Sequence, residues 1–341
     1  MYNKIQFLFF SFSCLILLNI RAQDTTSTED DNVDYSLFAD ASGVKRFATQ
    51  KVVNQSPTKI LSLGYEYQAN FVMPAIPFDD MLNASQDDSV RRVSGFRAQL
   101  NLPVISNDRI IWQMGFNYWG SRFEFRNRVL NRYIKQLSDP GLVTAGINTT
   151  IFKPLNEKHF LIIQASLDAN LAFRQAGDLN AKAVTISATA LYGWKKSDKN
   201  LIGTGVARTY RAGRIIHVPV LLWNRTFSDQ WGMELLFPAR AHLRRNFSAT
   251  NMLQVGCELE GNQYFLPDGN RYLQRGEFKP RMQWDKKISG FLWFQVQAGL
   301  RLNWRFDVMK SYNGFSEQQK AFTTAIGNPF FFGFSLNIVS P

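Results

Sequence analysis

From Leu61 the chain settles into a two-residue rhythm. Leu61, Leu63, Tyr65, Tyr67, Ala69, Phe71 and Met73 alternate with Ser62, Gly64, Glu66, Gln68, Asn70 and Val72. Successive side chains of a strand point to opposite faces, so this rhythm predicts one long strand with an apolar and a polar face. The same signature returns over 96–102, 110–118, 161–173, 184–194, 253–260, 292–304 and 330–339. Weaker versions fall at 143–153, 201–210, 216–226, 231–244 and 272–284. Near a dozen strands are expected, in a range of 10–14, and several reach the roughly 9–11 residues that a tilted bilayer crossing needs.

The connections are uneven. Short polar turns such as Asn107-Asp108 and Ser197–Asn200 contrast with long intervals at 74–92 and 305–328. Short turns on one side and long loops on the other are the habit of membrane barrels. One segment breaks the rhythm: Val129, Leu130, Tyr133, Ile134 and Leu137 fall at helical spacing before Asp139-Pro140-Gly141. A short amphipathic helix near 128–138 is expected there, capping a loop, plugging the lumen or lying at the interface.

Which face is wet separates a barrel from a soluble sandwich. In lipid every backbone polar group must be paired, so strands cross a membrane only as a closed barrel. Large apolar residues opposite Gln, Asn, Ser, Gly, Glu and Arg, in strands longer than a sandwich usually has, fit that rule. The expected fold is an all-β, transmembrane, antiparallel up-and-down β-barrel over residues 58–341. An exported soluble sandwich is the competing architecture.

The first residues set the compartment. Lys4 precedes the apolar run Phe7–Leu18, and Ala22-Gln23 follow, which reads as a cleavable signal peptide over 1–23. A retained anchor and a lipoprotein are the alternatives, and Cys14 lies inside the apolar run rather than after it. Residues 24–57 are polar and lack sustained periodicity, so they are expected to form an acidic, mostly disordered leader. Cleavage leaves Cys257 as the only cysteine, so no internal disulfide is expected. With 29 Phe, 8 Trp and 11 Tyr the chain is rich in aromatics, yet its mean hydropathy is only −0.20.

Formal charge is +12, and six acids without Lys or Arg occupy 24–40, so the excess lies in the strand-rich part. Export makes nucleic acid the least suitable partner; anionic solutes and lipid headgroups remain. Arg240, His242 and Arg244 share one strand face, Arg275, Lys279 and Arg281 another with Glu277, and Arg301 lies with Asn303 and Arg305. Arg240, Arg244, Arg275, Arg281 and Arg301 are the candidate lumen-lining residues; snorkelling to headgroups is the bland alternative. No Gly-x-Ser-x-Gly elbow, His-Glu-x-x-His motif or cysteine ligand cluster occurs, so neither a catalytic site, a metal site nor a cofactor is expected.

The stretch from Val218 to Arg240 contains a Pro-bearing strand, a short turn with Trp231 and a Phe237-Pro238 step. It resembles a family of Bacteroidota outer-membrane β-barrels of unknown function. The resemblance extends over about residues 55–340. The chain departs from such barrels in stopping at Ile338-Val-Ser-Pro341 rather than on a terminal aromatic. The resemblance implies the outer membrane of a Gram-negative bacterium, with lipids and the barrel-assembly machinery as partners. Two function classes stay open: a channel for small, in particular anionic, solutes, and a closed structural or surface-interaction barrel without transport.

Overall fold

The computed structural model of the protein describes residues 48–77, 86–127, 129, 131–173, 181–314, 316–324 and 326–340. The expected signal and most of the expected leader lie outside the described residues. Residues 48–57, assigned to the disordered leader from composition, pack against the strands instead, with Ala48 and Val52 buried.

The strands in chain order are β1 (Lys59–Gln68), β2 (Phe71–Pro77), β3 (Gln86–Asn107), β4 (Ile110–Phe125), β5 (Leu142–Pro154) and β6 (His159–Ala172). They continue as β7 (Val184–Ser197), β8 (Asn200–Thr209), β9 (Ile216–Thr226), β10 (Trp231–Phe237), β11 (Arg240–Ser248) and β12 (Asn251–Leu266). The last are β13 (Arg271–Ser289), β14 (Leu292–Leu300), β15 (Leu302–Met309), β16 (Lys320–Thr324) and β17 (Phe330–Val339). β3 to β14 pair antiparallel in sequence, β14 pairs with β17, and β1 closes the circle between β17 and β3. The result is a closed antiparallel barrel of 14 strands. The expected strand at 231–244 is two strands, split at Pro238-Ala239.

All barrel turns beside β1's start and β17's end are short: 108–109, 155–158, 198–199, 227–230, 249–250 and 290–291. The opposite end is built up. Both intervals expected as long loops carry strands, because β2 and β16 pair with each other and bridge β3 to β15 and β13. A parallel bridge between Phe265 and Leu171 brings β12 against β6. A narrower ring of β2, β3, β4, β5, β6, β12, β13, β15 and β16 therefore stands on the loop end of the wide barrel.

Two interruptions of the rhythm fill this ring. β1 and β2 are separated at Ala69-Asn70, and Phe71 and Met73 turn into the interior instead of continuing the outward row of Tyr65 and Tyr67. Opposite them, a register shift between Val90 and Arg92 lets both Val90 and Val93 point inward. Phe71, Met73, Val90, Val93, Phe123, Leu273, Phe306 and Val308 form one apolar core with Tyr133, Ile134 and Leu137. Those three belong to α1 (Arg132–Ser138), whose N-cap Asn131 accepts from the backbone N–H groups of Tyr133 and Ile134. Gly141, at φ +95°, turns the chain from α1 into β5. The helix is thus a plug of the loop end.

The outer face explains the rest of the alternation. Leu63, Tyr65, Phe96, Phe116, Ile147, Ile163, Ile186, Val206, Val255, Met282, Phe334 and Leu336 are all exposed, spread around the barrel wall. A continuous apolar band of this extent would be unstable against water and matches a lipid-facing belt. Tyr192 and Trp194 stack edge-on near its turn-side border, where amphipathic rings are favoured. Among the described residues no helix is long and apolar enough to cross a membrane; the crossing elements are the strands.

Candidate functional site: a polar chamber under an ion-paired layer

Below the apolar plug the inward positions of β1, β3, β12 and β13 carry charge. Arg97 Nη2 lies 2.6 Å from Glu260 and 3.4 Å from Glu66. Lys279 Nζ lies 2.8 Å from Glu260 and 3.4 Å from Glu66. Arg301, at the break between β14 and β15, pairs closely with Glu66 and Glu277, and Arg275 meets Glu277 at 2.5 Å. Four cations and three carboxylates thus interlock across the lumen. Aromatic faces take up part of the remaining positive charge: Arg97 sits 4.1 Å from the Trp119 ring centre and Lys279 4.6 Å from that of Phe331.

Much of this layer is dry, although Arg97 and Glu260 keep 33% and 17% of their side-chain surface. Glu66 and Lys279 each keep 2% of their surface and Arg301 none. Paired charges at low dielectric hold one another firmly, while each alone would be costly to bury. The layer therefore closes the lumen for as long as its pairs stay matched.

On the turn side of the layer lies a chamber of about 580 Å³. One wall is polar, with Gln99, Asn101, Gln254, Gln283, Gln297 and Asn337 beside Arg240, His242, Glu258 and Arg281. Arg281 Nη2 donates to Glu258 at 2.6 Å, and its Nη1 donates to Gln297. The imidazole Nε2 of His242, 3.6 Å from Glu258, is buried without a hydrogen-bond partner. Ile162 and Leu222 border the chamber on another side, and behind them Leu191, Ala207, Val218 and Val220 continue an apolar cluster on inward positions of β7 to β9. A uniformly polar inner face was expected, and β8 and β9 depart from it.

Residues 48–57 run along the turn-side mouth. Ala48 N–H donates to the carbonyl of Asn156 and Val53 N–H to that of Asp198, both in short turns. Thr226 Oγ1 donates to the Val53 carbonyl at 2.6 Å, and Ser56 gives both its N–H and its hydroxyl to Glu234. Val52 anchors the segment in the apolar cluster. Burial holds the Lys51 ammonium below its ordinary pKa, against the pull of the Glu234 carboxylate.

The five arginines singled out from sequence occupy different settings. Arg240 and Arg281 border the chamber. Arg275 and Arg301 belong to the ion-paired layer, and Arg244 is buried against Glu234 at 3.1 Å. Arg305, expected on the same face as Arg301, lies beyond the strand break, pairs with Gly276 and bonds Gln274 instead of facing the lumen. Trp119 lies inside, under Arg97, Arg275 and Arg301. The partners Glu66 and Glu260 went unmarked; each sits at a polar position of a period-two strand, which was the available signal. Among the described residues no group of His, Cys, Asp or Glu could hold a metal ion.

A closed antiparallel barrel with an apolar belt outside and charge, amides and a wet chamber inside is a transmembrane β-barrel of the outer-membrane kind. The chain belongs to the family described as Domain of unknown function (DUF6268), whose model matches residues 77–338. No curated protein matches it in sequence. Among solved structures it is similar to the COG4313 outer membrane channel from Pseudomonas putida F1, at 13% identity over 84% of this chain and 97% of that chain, with a TM-score of 0.38. It is also similar to the Pseudomonas putida toluene transporter TodX, at 8% identity over 86% and 95%, TM-score 0.35. A Pseudomonas aeruginosa FadL homologue matches at 10% identity over 83% and 90%, TM-score 0.39.

Proposed function

We propose that the protein is exported by its N-terminal signal to the outer membrane of a Gram-negative bacterium, one of the Bacteroidota, and serves there as a gated channel for small polar solutes. The observation that carries this reading is the chamber itself, an amide-lined space that ends at the ion-paired layer. An interior with no transport role would gain more by filling that volume with packed apolar side chains. Opening requires both the layer and the apolar plug above it to part, and the charges of the layer are those that water would solvate once it did.

Charge inside is nearly balanced, so the field of a strongly anion-selective pore is not the expectation. Among the described residues Arg240 is the chamber-lining arginine without a carboxylate in ion-pair range, and with the chamber-lining Lys51 and Lys59 it would carry any preference for anions. Lipids and the barrel-assembly machinery are the partners this reading requires, and it involves no catalysis.

The test has two parts. The full-length protein should fractionate with the outer membrane and migrate differently on detergent gels before and after boiling. Reconstituted in liposomes, a variant with the layer broken (Arg97→Ala with Glu260→Ala) should admit an uncharged pentose-sized solute faster than the native protein. A soluble periplasmic monomer would overturn the location. Equal impermeability of both folded proteins would favour the closed structural barrel.

A further inference from the structure

Inside the barrel, Arg97, Arg244, Arg275, Arg281 and Arg301 each meet a carboxylate. Outside, at the loop end beside β8 and β15, four arginines reverse the pattern. Arg208 closes β8, Arg211 and Arg214 lie in the connection to β9, and Arg305 lies on the outer side of β15. None of the four has a carboxylate in ion-pair range among the described residues; Arg208 and Arg211 donate to the carbonyls of Ile186 and Leu259. Asp307, an acid within electrostatic reach of Arg305, is engaged by Thr323 and lies 3.8 Å from Lys320.

The fold gathers these residues. The 210–215 connection leans on the narrow ring: Ile215 N–H donates to Asn313 at 2.7 Å, and a Cβ on Gly213 would lie 2.9 Å from the Arg275 carbonyl. Arg214 comes within electrostatic reach of Arg305, and Arg208 within reach of Tyr312. Like charges held together on a folded surface repel unless something anionic sits among them.

What adjoins the cluster points to the kind of anion. Arg208 stands on the outward face of β8 two residues beyond Val206, which is 66% exposed, and opposite Ala188 on β7. Ile186, also widely exposed, lies on the same face. The arginines are therefore the border of the lipid-facing belt. A free anion would meet them only through screened, wet contacts, whereas an anion attached to acyl chains gains from both surfaces.

We propose that this outer patch binds a lipid bearing phosphate groups, its chains lying on Ile186, Ala188 and Val206 and its phosphates among Arg208, Arg211, Arg214 and Arg305. Guanidinium forks suit phosphate oxygens in two-point contacts, which favours arginine over lysine at such a site. The inference stands apart from transport through the lumen.

Native mass spectrometry of the full chain in detergent, with diphosphorylated lipid A and phosphatidylcholine as probes, tests it. The native protein should retain lipid A, and Arg208→Gln, Arg211→Gln and Arg214→Gln together should lower retention about tenfold, as expected for losing charge-assisted contacts. A control with Arg225→Gln and Arg245→Gln at the turn end should retain it fully. Heat-modifiable migration verifies that each variant is folded. Equal retention by both variants, equal retention of phosphatidylcholine, or complete displacement by millimolar inorganic phosphate would overturn the proposal, the last by showing a site for a free anion.

Discussion

Arg97 on β3 and Glu260 on β12 meet at 2.6 Å although their strands share no hydrogen-bonded ladder. The pair is a chord across the barrel, and with Lys279 and Glu66 it ties distant walls together. Replacing Glu260 by Gln leaves Arg97 and Lys279 short of a counter-charge in a dry layer. Removing one partner of a fully buried pair typically costs about 3–5 kcal/mol; Arg97 and Glu260 keep 33% and 17% of their side-chain surface, so the cost here is smaller. Urea titration of the barrel folded into lipid should show a clear loss of stability for Glu260→Gln, below that limit. The double variant with Arg97→Gln should lose less than the sum of the single variants, because the two act on one contact.

The two faces of a strand pair offer a second check. Leu63 points to the belt and Gln99 to the chamber. Leu63→Arg should impair assembly by about 2–4 kcal/mol, the cost of a lipid-facing charge near mid-membrane. Gln99→Arg, exposed to the wet lumen, should be far milder when folded fractions are compared on unboiled gels. Gln295 would be a poor control: it is buried among Lys59, Ser335 and Asn337. Equal damage from Leu63→Arg and Gln99→Arg would contradict a lipid-facing belt.

Residues 48–57 are expected to be a seated segment rather than a free tail. Val52→Asp places a charge in an apolar cluster with Phe160 and Leu191, a burial that costs a folded site several kcal/mol. Limited proteolysis of the detergent-folded protein should then cut between residues 48 and 57 faster, with the barrel core left intact. An unchanged cleavage rate would show that Val52 does not anchor the segment.

The barrel was legible because its physics is periodic. Leu253, Val255, Cys257 and Leu259 against Gln254, Gly256, Glu258 and Glu260 announce a strand and its two faces without any tertiary information. What escaped lies where the period is reset. The break at Ala69-Asn70 sends Phe71 and Met73 inward, and the break at Arg301 separates it from Arg305. Neither carries a local signal as strong as glycine or proline. Pairing across the lumen was equally hidden, since Glu66 and Arg301 are 235 positions apart. The helix near 128–138 was foreseen, but its role as a plug depends on Phe71, Phe123 and Phe306, which the sequence does not place beside it.

The account turns on a lumen that is shut by an ion-paired layer beneath the apolar plug and conducts more readily once that layer is broken. Single-channel recording in planar bilayers, with native protein and the folded Arg97→Ala, Glu260→Ala variant side by side, tests this most directly. Native protein should hold a closed baseline with rare openings, and the variant should show sustained conductance steps. A constantly open native pore would contradict the closed layer. A variant as silent as the native protein, with folding verified, would contradict the gated channel and leave a closed barrel.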